Sequence, residues 1–117
     1  MKILICGSRD WFLAGPIEKR LSLLNVNEDH TIIEGGAEGA DRVARSVGLA
    51  YGFDVVTVWA NWEKYGKAAG PRRNRAMLDM KPDLVLAFHK DLSKSKGTAD
   101  TVREAQKRGI KVEVHSS

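Results

Sequence analysis

Five short apolar stretches alternate along the chain with longer segments in which apolar residues recur at every third or fourth position. Short apolar runs that end at glycine or polar residues are typical of buried strands, and the longer spacing is typical of helices with one buried face. The predicted strands lie at residues 3–6, 31–33, 54–59, 83–88 and 110–114. The predicted helices lie at residues 17–24, 40–51, 72–80 and 98–108.

The order of these elements predicts the fold. Strands that alternate with helices form a parallel sheet covered by helices on both faces, with right-handed crossovers. We therefore predict a single α/β, Rossmann-like domain of residues 1–117 with a five-stranded, mostly parallel sheet. The last predicted strand alternates apolar and polar residues, which predicts an edge position. Ligands of such sheets bind beyond the carboxyl ends of the strands, so the residues that follow each strand form the candidate site.

The first predicted strand is followed by Gly7, Ser8, Arg9 and, after one further residue, Trp11. The glycine allows a tight turn and the close approach of a ligand, and Ser8 and Arg9 can donate hydrogen bonds to a phosphate. Two interpretations of Trp11 stay open at this point: its ring stacks on a base, or it anchors the turn in the core.

The second predicted strand is followed by a glycine-rich turn that leads directly into a helix. Gly35, Gly36 and Gly39, with Ala37 between them, let an anion approach the free N–H groups at the helix N-terminus. The spacing matches neither the dinucleotide-binding fingerprint nor a P-loop. Asp41 either caps the helix or binds a ribose hydroxyl, because a carboxylate repels a neighbouring phosphate.

The third predicted strand is followed by an aromatic loop and a basic cluster. Trp59, Trp62 and Tyr65 either stack on a base or a partner surface, or pack the loop onto the sheet. Arg73 and Asn74 then lie in the predicted first turn of a helix, where a cation opposes the helix dipole. That cost favours an anionic ligand at Arg73, and it predicts that Arg73→Ala leaves the free protein at least as stable as before.

The fourth predicted strand leads, through a loop rich in lysine and serine, to Gly97 and Thr98 at the start of the last helix. Thr98 either caps this helix or holds a phosphate oxygen with its hydroxyl group. Glycine thus lies at or near a helix start after three of the strands, and all three positions belong to the same end of the sheet. Their agreement predicts one anion-binding site at that end.

Composition and charge indicate which kind of ligand and which cellular compartment to expect. Hydrophobic residues make up 43% and charged residues 29%, as in ordinary globular domains, and the net charge of +4 suits an anionic ligand. The single cysteine, Cys6, lies in an apolar strand, which predicts an inert core residue and a reducing compartment. No apolar stretch has the length of a signal peptide or a membrane span, so we expect a cytoplasmic protein without a membrane partner. The histidines lack metal-ligand spacing, and neither a metal nor a cofactor is expected.

Four segments, taken together and in this order, resemble the YspA-like group of the SLOG superfamily, and the resemblance covers nearly the whole chain. The segments lie at residues 7–11, 35–41, 62–74 and 97–100. The superfamily also includes the LOG phosphoribohydrolases and the DNA-processing protein DprA. The resemblance implies a Rossmann-like fold and a nucleotide-derived ligand related to NAD or ADP-ribose, and it implies no established activity.

The LOG enzymes carry a P-G-G-x-G-T-x-x-E motif whose glutamate is catalytic, and the chain departs from that motif. Gly97 and Thr98 match its glycine and threonine, but Thr101 stands at the position of the glutamate. Asp100 lies one residue earlier, which on a helix turns its side chain about 100° away. Arg73 roughly matches the LOG arginine, so the resemblance implies phosphate binding more strongly than catalysis.

We therefore expect binding or sensing of a nucleotide-like, phosphate-bearing small molecule. The candidate ligand-binding residues are Gly7, Ser8, Arg9, Trp11, Gly35, Gly36, Ala37, Gly39, Asp41, Trp62, Arg73, Asn74, Gly97 and Thr98. Two alternatives stay open: an enzyme that cleaves an N-glycosidic bond with Asp100 and Asp41 as catalytic carboxylates, and a DprA-like protein that binds single-stranded nucleic acid. We also expect a homodimer, with the aromatic loop as a candidate contact.

Overall fold

The computed structural model describes residues 1–117, and its five strands form one sheet. The strands are β1 (Lys2–Gly7), β2 (Thr31–Glu34), β3 (Asp54–Thr57), β4 (Leu84–Phe88) and β5 (Lys111–His115). Their order is β3-β2-β1-β4-β5, and every neighbouring pair is parallel. The predicted Rossmann-like α/β fold is confirmed, and β5 lies at an edge of the sheet, as its alternating pattern predicts.

Helices follow each of the first four strands. They are α1 (Ala14–Leu21), α2 (Ala40–Ala50), α3 (Trp62–Tyr65), α4 (Ala69–Asp79) and α5 (Gly97–Lys107), with 3₁₀ turns at Gly66–Ala68 and Leu92–Lys94. The short helix α3 falls in a segment predicted as loop, and the Asn61 side chain caps it by accepting from the Lys64 N–H at 3.1 Å. No helix has the length and apolar character that crossing a membrane requires.

The helices α1 and α4 each begin three residues before their predicted starts. Pro16 and Pro71 are the third residues of these helices, where the missing N–H has no intrahelical acceptor to lose. Arg73 is therefore the fifth residue of α4 and lies in its second turn, so its predicted place in the first turn is wrong. β3 also ends earlier than predicted, at Thr57, which leaves Trp59 in the following loop.

Alternation along β1 builds two cores, because successive residues of a strand point to opposite faces of a sheet. Ile3 and Ile5 lie in one core with residues of α1 and α2. Leu4 and Cys6 lie in the other core with residues of α4 and α5. Helices therefore cover both faces of the sheet, as the element order predicts.

The strand order reverses at β1. β2 and β3 lie on one side of it, and β4 and β5 lie on the other, because the connection through α3 and α4 returns the chain across the sheet. Such a switch point leaves a crevice at the carboxyl ends of β1 and β4, where ligands of open α/β sheets bind.

Two turns pack closely against each other at this end of the sheet. Gly39, which precedes α2, has a φ of 78° and lies against the turn after β1. A Cβ atom added to it would lie 2.3 Å from the carbonyl oxygen of Ser8 and 2.4 Å from that of Arg9. The backbone N–H of Ala40 donates to the Ser8 carbonyl at 3.0 Å. Only glycine therefore fits at position 39.

Replacement of Gly39 by alanine tests this packing. Gly52 is a matched control, because its φ is 77° and nothing lies within 4 Å of an added Cβ. In Gly52→Ala only the left-handed backbone is penalised, by about 1–2 kcal/mol. Gly39→Ala adds a collision with backbone, so we expect a total loss of about 3–5 kcal/mol in the free energy of unfolding. Urea denaturation measures both, and equal losses would contradict the close contact.

Candidate functional site

A cavity of about 390 Å³ lies at the carboxyl ends of β1 and β4, and we call it the central cavity. The turns after β1 and β2 line it together with α4 and the start of α5. It brings together predicted site residues from all four segments, namely Gly7, Ser8, Arg9, Ala37, Asp41, Arg73, Asn74, Gly97 and Thr98. Its volume lies within the usual range for small-molecule sites.

A second cavity of about 380 Å³ adjoins the first. It lies between the glycine turn after β2 and the aromatic loop after β3, and we call it the tryptophan cavity. Its lining residues are Arg9, Gly35, Gly36, Ala37, Glu38, Trp59, Ala60, Trp62 and Arg73. Arg9, Ala37 and Arg73 line both cavities, so the two cavities meet at these residues.

Arg73 lies between the two cavities, and two hydrogen bonds hold it there. Its Nη1 donates to the Gly35 carbonyl at 2.7 Å, and its Nε donates to Asn74 Oδ1 at 3.1 Å. The dipole penalty falls off within the first helical turn, so it does not apply to Arg73. The basis for expecting an unchanged stability of Arg73→Ala is therefore gone. Alanine would leave the buried Gly35 carbonyl without its donor, which predicts a less stable free protein.

Asn74 is buried and ties α4 to α5. Its Nδ2 donates to the Gly97 carbonyl at 3.3 Å and to Asp100 Oδ2 at 3.2 Å. Arg75 Nη1 lies 3.4 Å from the same carboxylate oxygen. Asp100 therefore faces α4 and lines neither cavity, which corrects its expected place among the catalytic groups.

Asp41 lines the central cavity and braces the glycine turn. Its Oδ2 accepts hydrogen bonds from the backbone N–H groups of Gly35 and Ala37, each at 3.2 Å. These residues precede α2, so Asp41 does not act as the N-cap of its own helix. Burial raises the pKa of Asp41 to about 6, although the hydrogen bond from Ala37 and the charge of Arg73 oppose the shift. Oδ1 accepts no hydrogen bond within the protein and is available to a ligand.

Glu34 is a site residue that the sequence analysis missed. Its side chain is fully buried at the end of β2, beneath the glycine turn. One carboxylate oxygen accepts from the Gly36 N–H at 2.7 Å, and the other accepts from the hydroxyl of Thr57. A carboxylate that ends an apolar strand directly before glycines is the pattern that would have revealed it.

The start of α5 is capped by Ser95 rather than by Thr98. Ser95 Oγ accepts from the backbone N–H of Thr98 at 3.0 Å and from that of Ala99 at 3.3 Å. Thr98 is buried and lines the central cavity, so the capping interpretation of Thr98 is wrong. The cavity is also lined by three residues of the polar loop after β4, namely His89, Ser95 and Lys96. The sequence analysis predicted no site residue in this loop.

Trp11 belongs to the core and not to the site. It is 3% exposed, its ring centroid lies 5.6 Å from that of Phe88, and its Nε1 donates to the Leu13 carbonyl at 3.0 Å. A ring that is almost fully buried offers no face to a base, so the stacking interpretation of Trp11 is wrong. Trp62, by contrast, lines the tryptophan cavity and is 52% exposed.

Cys6 lines the central cavity but adds no reactive group to it. Cys6 is buried in the core on the α4 and α5 side of the sheet, and burial raises the pKa of its thiol. A thiol that stays protonated is a poor nucleophile. This agrees with the prediction of an inert cysteine.

Comparison with known proteins places the chain in a family. The model of the YspA, cpYpsA-related SLOG family (YAcAr) matches residues 1–65. The chain belongs to this family. It is also similar to the gene 61 protein of Mycobacterium phage D29, with 36% identity over 95% of this chain and 93% of that protein. The predicted resemblance to the YspA-like group is therefore confirmed.

Among solved structures, DNA processing protein A (DprA) from Streptococcus pneumoniae is similar in fold, with a TM-score of 0.59 and 18% sequence identity. The match covers 98% of this chain and 59% of the DprA chain, so this SLOG-family chain spans about three-fifths of that structure. At this level of identity the likeness describes the fold alone.

The motif resemblance implies that Thr101 stands at the position of the LOG glutamate. Thr101 is 1% exposed, lines the central cavity, and donates its hydroxyl to the Gly97 carbonyl at 3.3 Å. With Asp100 turned toward α4, α5 supplies no carboxylate to the cavity. Asp41, from α2, is the buried carboxylate that remains there.

The raised pKa of Asp41 predicts how stability depends on pH. Because the folded-state pKa of about 6 exceeds the ordinary 3.8, the folded protein binds this proton more tightly than the unfolded chain. Protonation of Asp41 therefore makes its full contribution to the free energy of unfolding below about pH 4, and this contribution is lost as the pH rises through 6. Asp41→Asn removes this titration and keeps an acceptor oxygen. Relative to wild type, the variant should therefore gain up to about 3 kcal/mol between pH 4 and pH 7.

Urea denaturation at a series of pH values measures this change. Asp10→Asn is the control, because Asp10 lines the same cavity but is exposed. A difference between Asp41→Asn and wild type that stays constant with pH would contradict the raised pKa.

Proposed function

We propose that the central cavity binds the phosphate groups of a nucleotide or of a nucleotide-derived ligand such as NAD or ADP-ribose. The observation that carries the proposal is the convergence of three cationic side chains, Arg9, Arg73 and Lys96, on one cavity at the topological switch point. The YspA-related SLOG family and the Rossmann-like fold support the same class of ligand.

The cations of the cavity have hydrogen-bonding capacity to spare. Arg9 and Lys96 are exposed and form no ion pair within the protein. Arg73 directs two N–H groups to Gly35 and Asn74, which leaves three of the five donors of a guanidinium group. These donors suit phosphate oxygens, since charge-assisted hydrogen bonds are the strong ones.

The start of α5 adds one backbone donor to the lining of the cavity. Gly97 is the first residue of this helix, so its N–H has no intrahelical acceptor. Ser95 already satisfies the N–H groups of Thr98 and Ala99, which leaves Gly97 as the open donor next to Lys96. A helix N-terminus beside a lysine side chain favours an anion.

In the proposal, Asp41 binds the ribose of the ligand rather than its phosphates. Its free Oδ1 can accept a hydrogen bond from a ribose hydroxyl, while Oδ2 stays on the glycine turn. A carboxylate whose pKa is already about 6 takes up a proton readily beside a phosphate, which limits the repulsion between the two groups.

A thermal-shift screen with AMP, NAD and ADP-ribose tests the proposal. A ligand present at 100 times its dissociation constant stabilises the folded protein by about 2.7 kcal/mol, which is a readily measured rise in melting temperature. The absence of any shift at millimolar concentrations of all three ligands would refute phosphate binding in this cavity.

Arg9→Ala tests the role of the cavity without disturbing the fold. Because Arg9 is exposed and unpaired, its loss should change the free energy of unfolding by less than about 0.5 kcal/mol. Loss of a charge-assisted hydrogen bond should weaken ADP-ribose binding by about tenfold or more in isothermal titration calorimetry. Arg103→Ala is the control, because Arg103 is an exposed arginine of α5 that lines neither cavity. Equal affinities for the two variants would contradict the proposal.

A second candidate function is cleavage of an N-glycosidic bond in the same ligand. Its support is the buried Asp41 carboxyl group, which faces the cavity with one free oxygen. Such cleavage passes through an oxocarbenium-like state that a carboxylate stabilises. Release of free base from nucleoside monophosphates should then be lost in Asp41→Asn and retained in Asp100→Asn. Activity that survives in Asp41→Asn would refute this role.

Self-association as a homodimer stays a prediction. A two-fold symmetric pair is the commonest assembly of soluble chains, and the exposed aromatic loop offers it a surface. Light scattering at high protein concentration measures the mass, and a monomer would contradict it.

A further inference from the structure

We infer that the tryptophan cavity is the base-stacking subsite of this ligand, so that the ligand is a nucleoside phosphate or diphosphate that spans both cavities. The inference rests on the proposed phosphate binding in the central cavity. It assigns Trp59 and Trp62 to the ligand rather than to the core of the protein.

One part of the Trp59 ring contacts the backbone, and the rest of the residue is exposed. Its side chain is 65% exposed, but its ring lies so close to Gly36 that a Cβ added there would approach Trp59 Cζ3 to 2.4 Å. Gly36 has a φ of 72° and presents bare backbone to the ring. The backbone therefore holds one part of the indole, while the rest faces the cavity and solvent.

Trp62 lies at the first position of α3 and approaches the start of α4. A Cβ added to Gly70 would lie 3.4 Å from Trp62 Cη2, which is ordinary van der Waals contact. Trp62 is 52% exposed, and with Trp59 it places two large apolar rings on the lining of one cavity. An exposed apolar surface beside polar groups is typical of a binding site. Aromatic rings of this kind stack on any nucleobase, because every base has a π-face.

The connection between the cavities sets the direction of the ligand. Arg9 and Arg73 line both cavities, so phosphates held by these side chains place the attached nucleoside at the entrance of the tryptophan cavity. Glu38 lines that cavity and offers a carboxylate to an exocyclic amine of a base. The tryptophan cavity thus offers aromatic rings and an acceptor to a base, next to the two arginines that it shares with the central cavity.

Calorimetry with ADP and with inorganic pyrophosphate tests the assignment, because the two probes share a diphosphate and differ in the nucleoside. Wild type should bind ADP more tightly than pyrophosphate. In the double variant Trp59→Ala, Trp62→Ala the affinity for ADP should fall by about 5- to 150-fold, and the affinity for pyrophosphate should not change. Phe12→Ala is the control, because Phe12 is an exposed aromatic residue that lines neither cavity.

Tryptophan fluorescence of the wild-type protein provides a readout that needs no substitution. ADP should quench the emission of the exposed tryptophans, pyrophosphate should leave it unchanged, and buried Trp11 should account for the unquenched remainder. The single variants Trp59→Phe and Trp62→Phe keep an aromatic ring and should retain most of the affinity, which separates stacking from a general loss of folding.

The outcomes separate the two proposals. If neither probe binds, the phosphate site fails and the base subsite fails with it. If ADP and pyrophosphate bind equally to wild type and to the double variant, the phosphate site stands and the base subsite is overturned. The base subsite is also overturned if the double variant loses only the binding of a single-stranded oligonucleotide, or if it turns a dimer into a monomer with unchanged ADP affinity.

Discussion

The contact between Gly39 and the backbone of Ser8 and Arg9 holds the two halves of the site together. The turns after β1 and β2 come from neighbouring strands, and at a distance of 2.3 Å to an added Cβ no side chain can separate them. This contact aligns the start of α2 with the end of β1, and the Ala40 N–H bond to Ser8 fixes the alignment at 3.0 Å. Arg9 and Asp41 therefore reach the same cavity from different segments of the chain.

Three ionisable side chains around the glycine turn form hydrogen bonds within the protein. Glu34 is braced by Gly36 and Thr57, Asp41 is braced by Gly35 and Ala37, and Arg73 donates to the Gly35 carbonyl from above. Buried charges that find such partners fix the local backbone, because leaving any of them unpaired costs more than the pairing contributes. Hydrogen bonds thus hold the glycine turn at the border of the two cavities, and three N–H donors of Arg73 are unused within the protein.

The three tryptophans illustrate how one residue type takes different roles. Trp11 packs against Phe88 in the core, whereas Trp59 and Trp62 lie exposed beside a cavity. On α5, the residue for which the motif resemblance implies a LOG glutamate is Thr101, and its hydroxyl donates to the Gly97 carbonyl. Helix α5 therefore supplies no carboxylate to the lining of the central cavity.

The alternating elements predicted the sheet, and the glycines at the strand ends predicted which end of it carries the candidate site, because both patterns depend on residues that are neighbours in the sequence. The roles of Glu34 and Ser95 and the partners of Asp100 escaped the sequence analysis, since burial and side-chain contacts depend on segments that meet only in the folded chain. Gly35 and Arg73 are 38 residues apart, and Asn74 and Asp100 are 26 residues apart. Only tertiary packing decided which donor meets which carbonyl, and hence which charges remain free in the cavity.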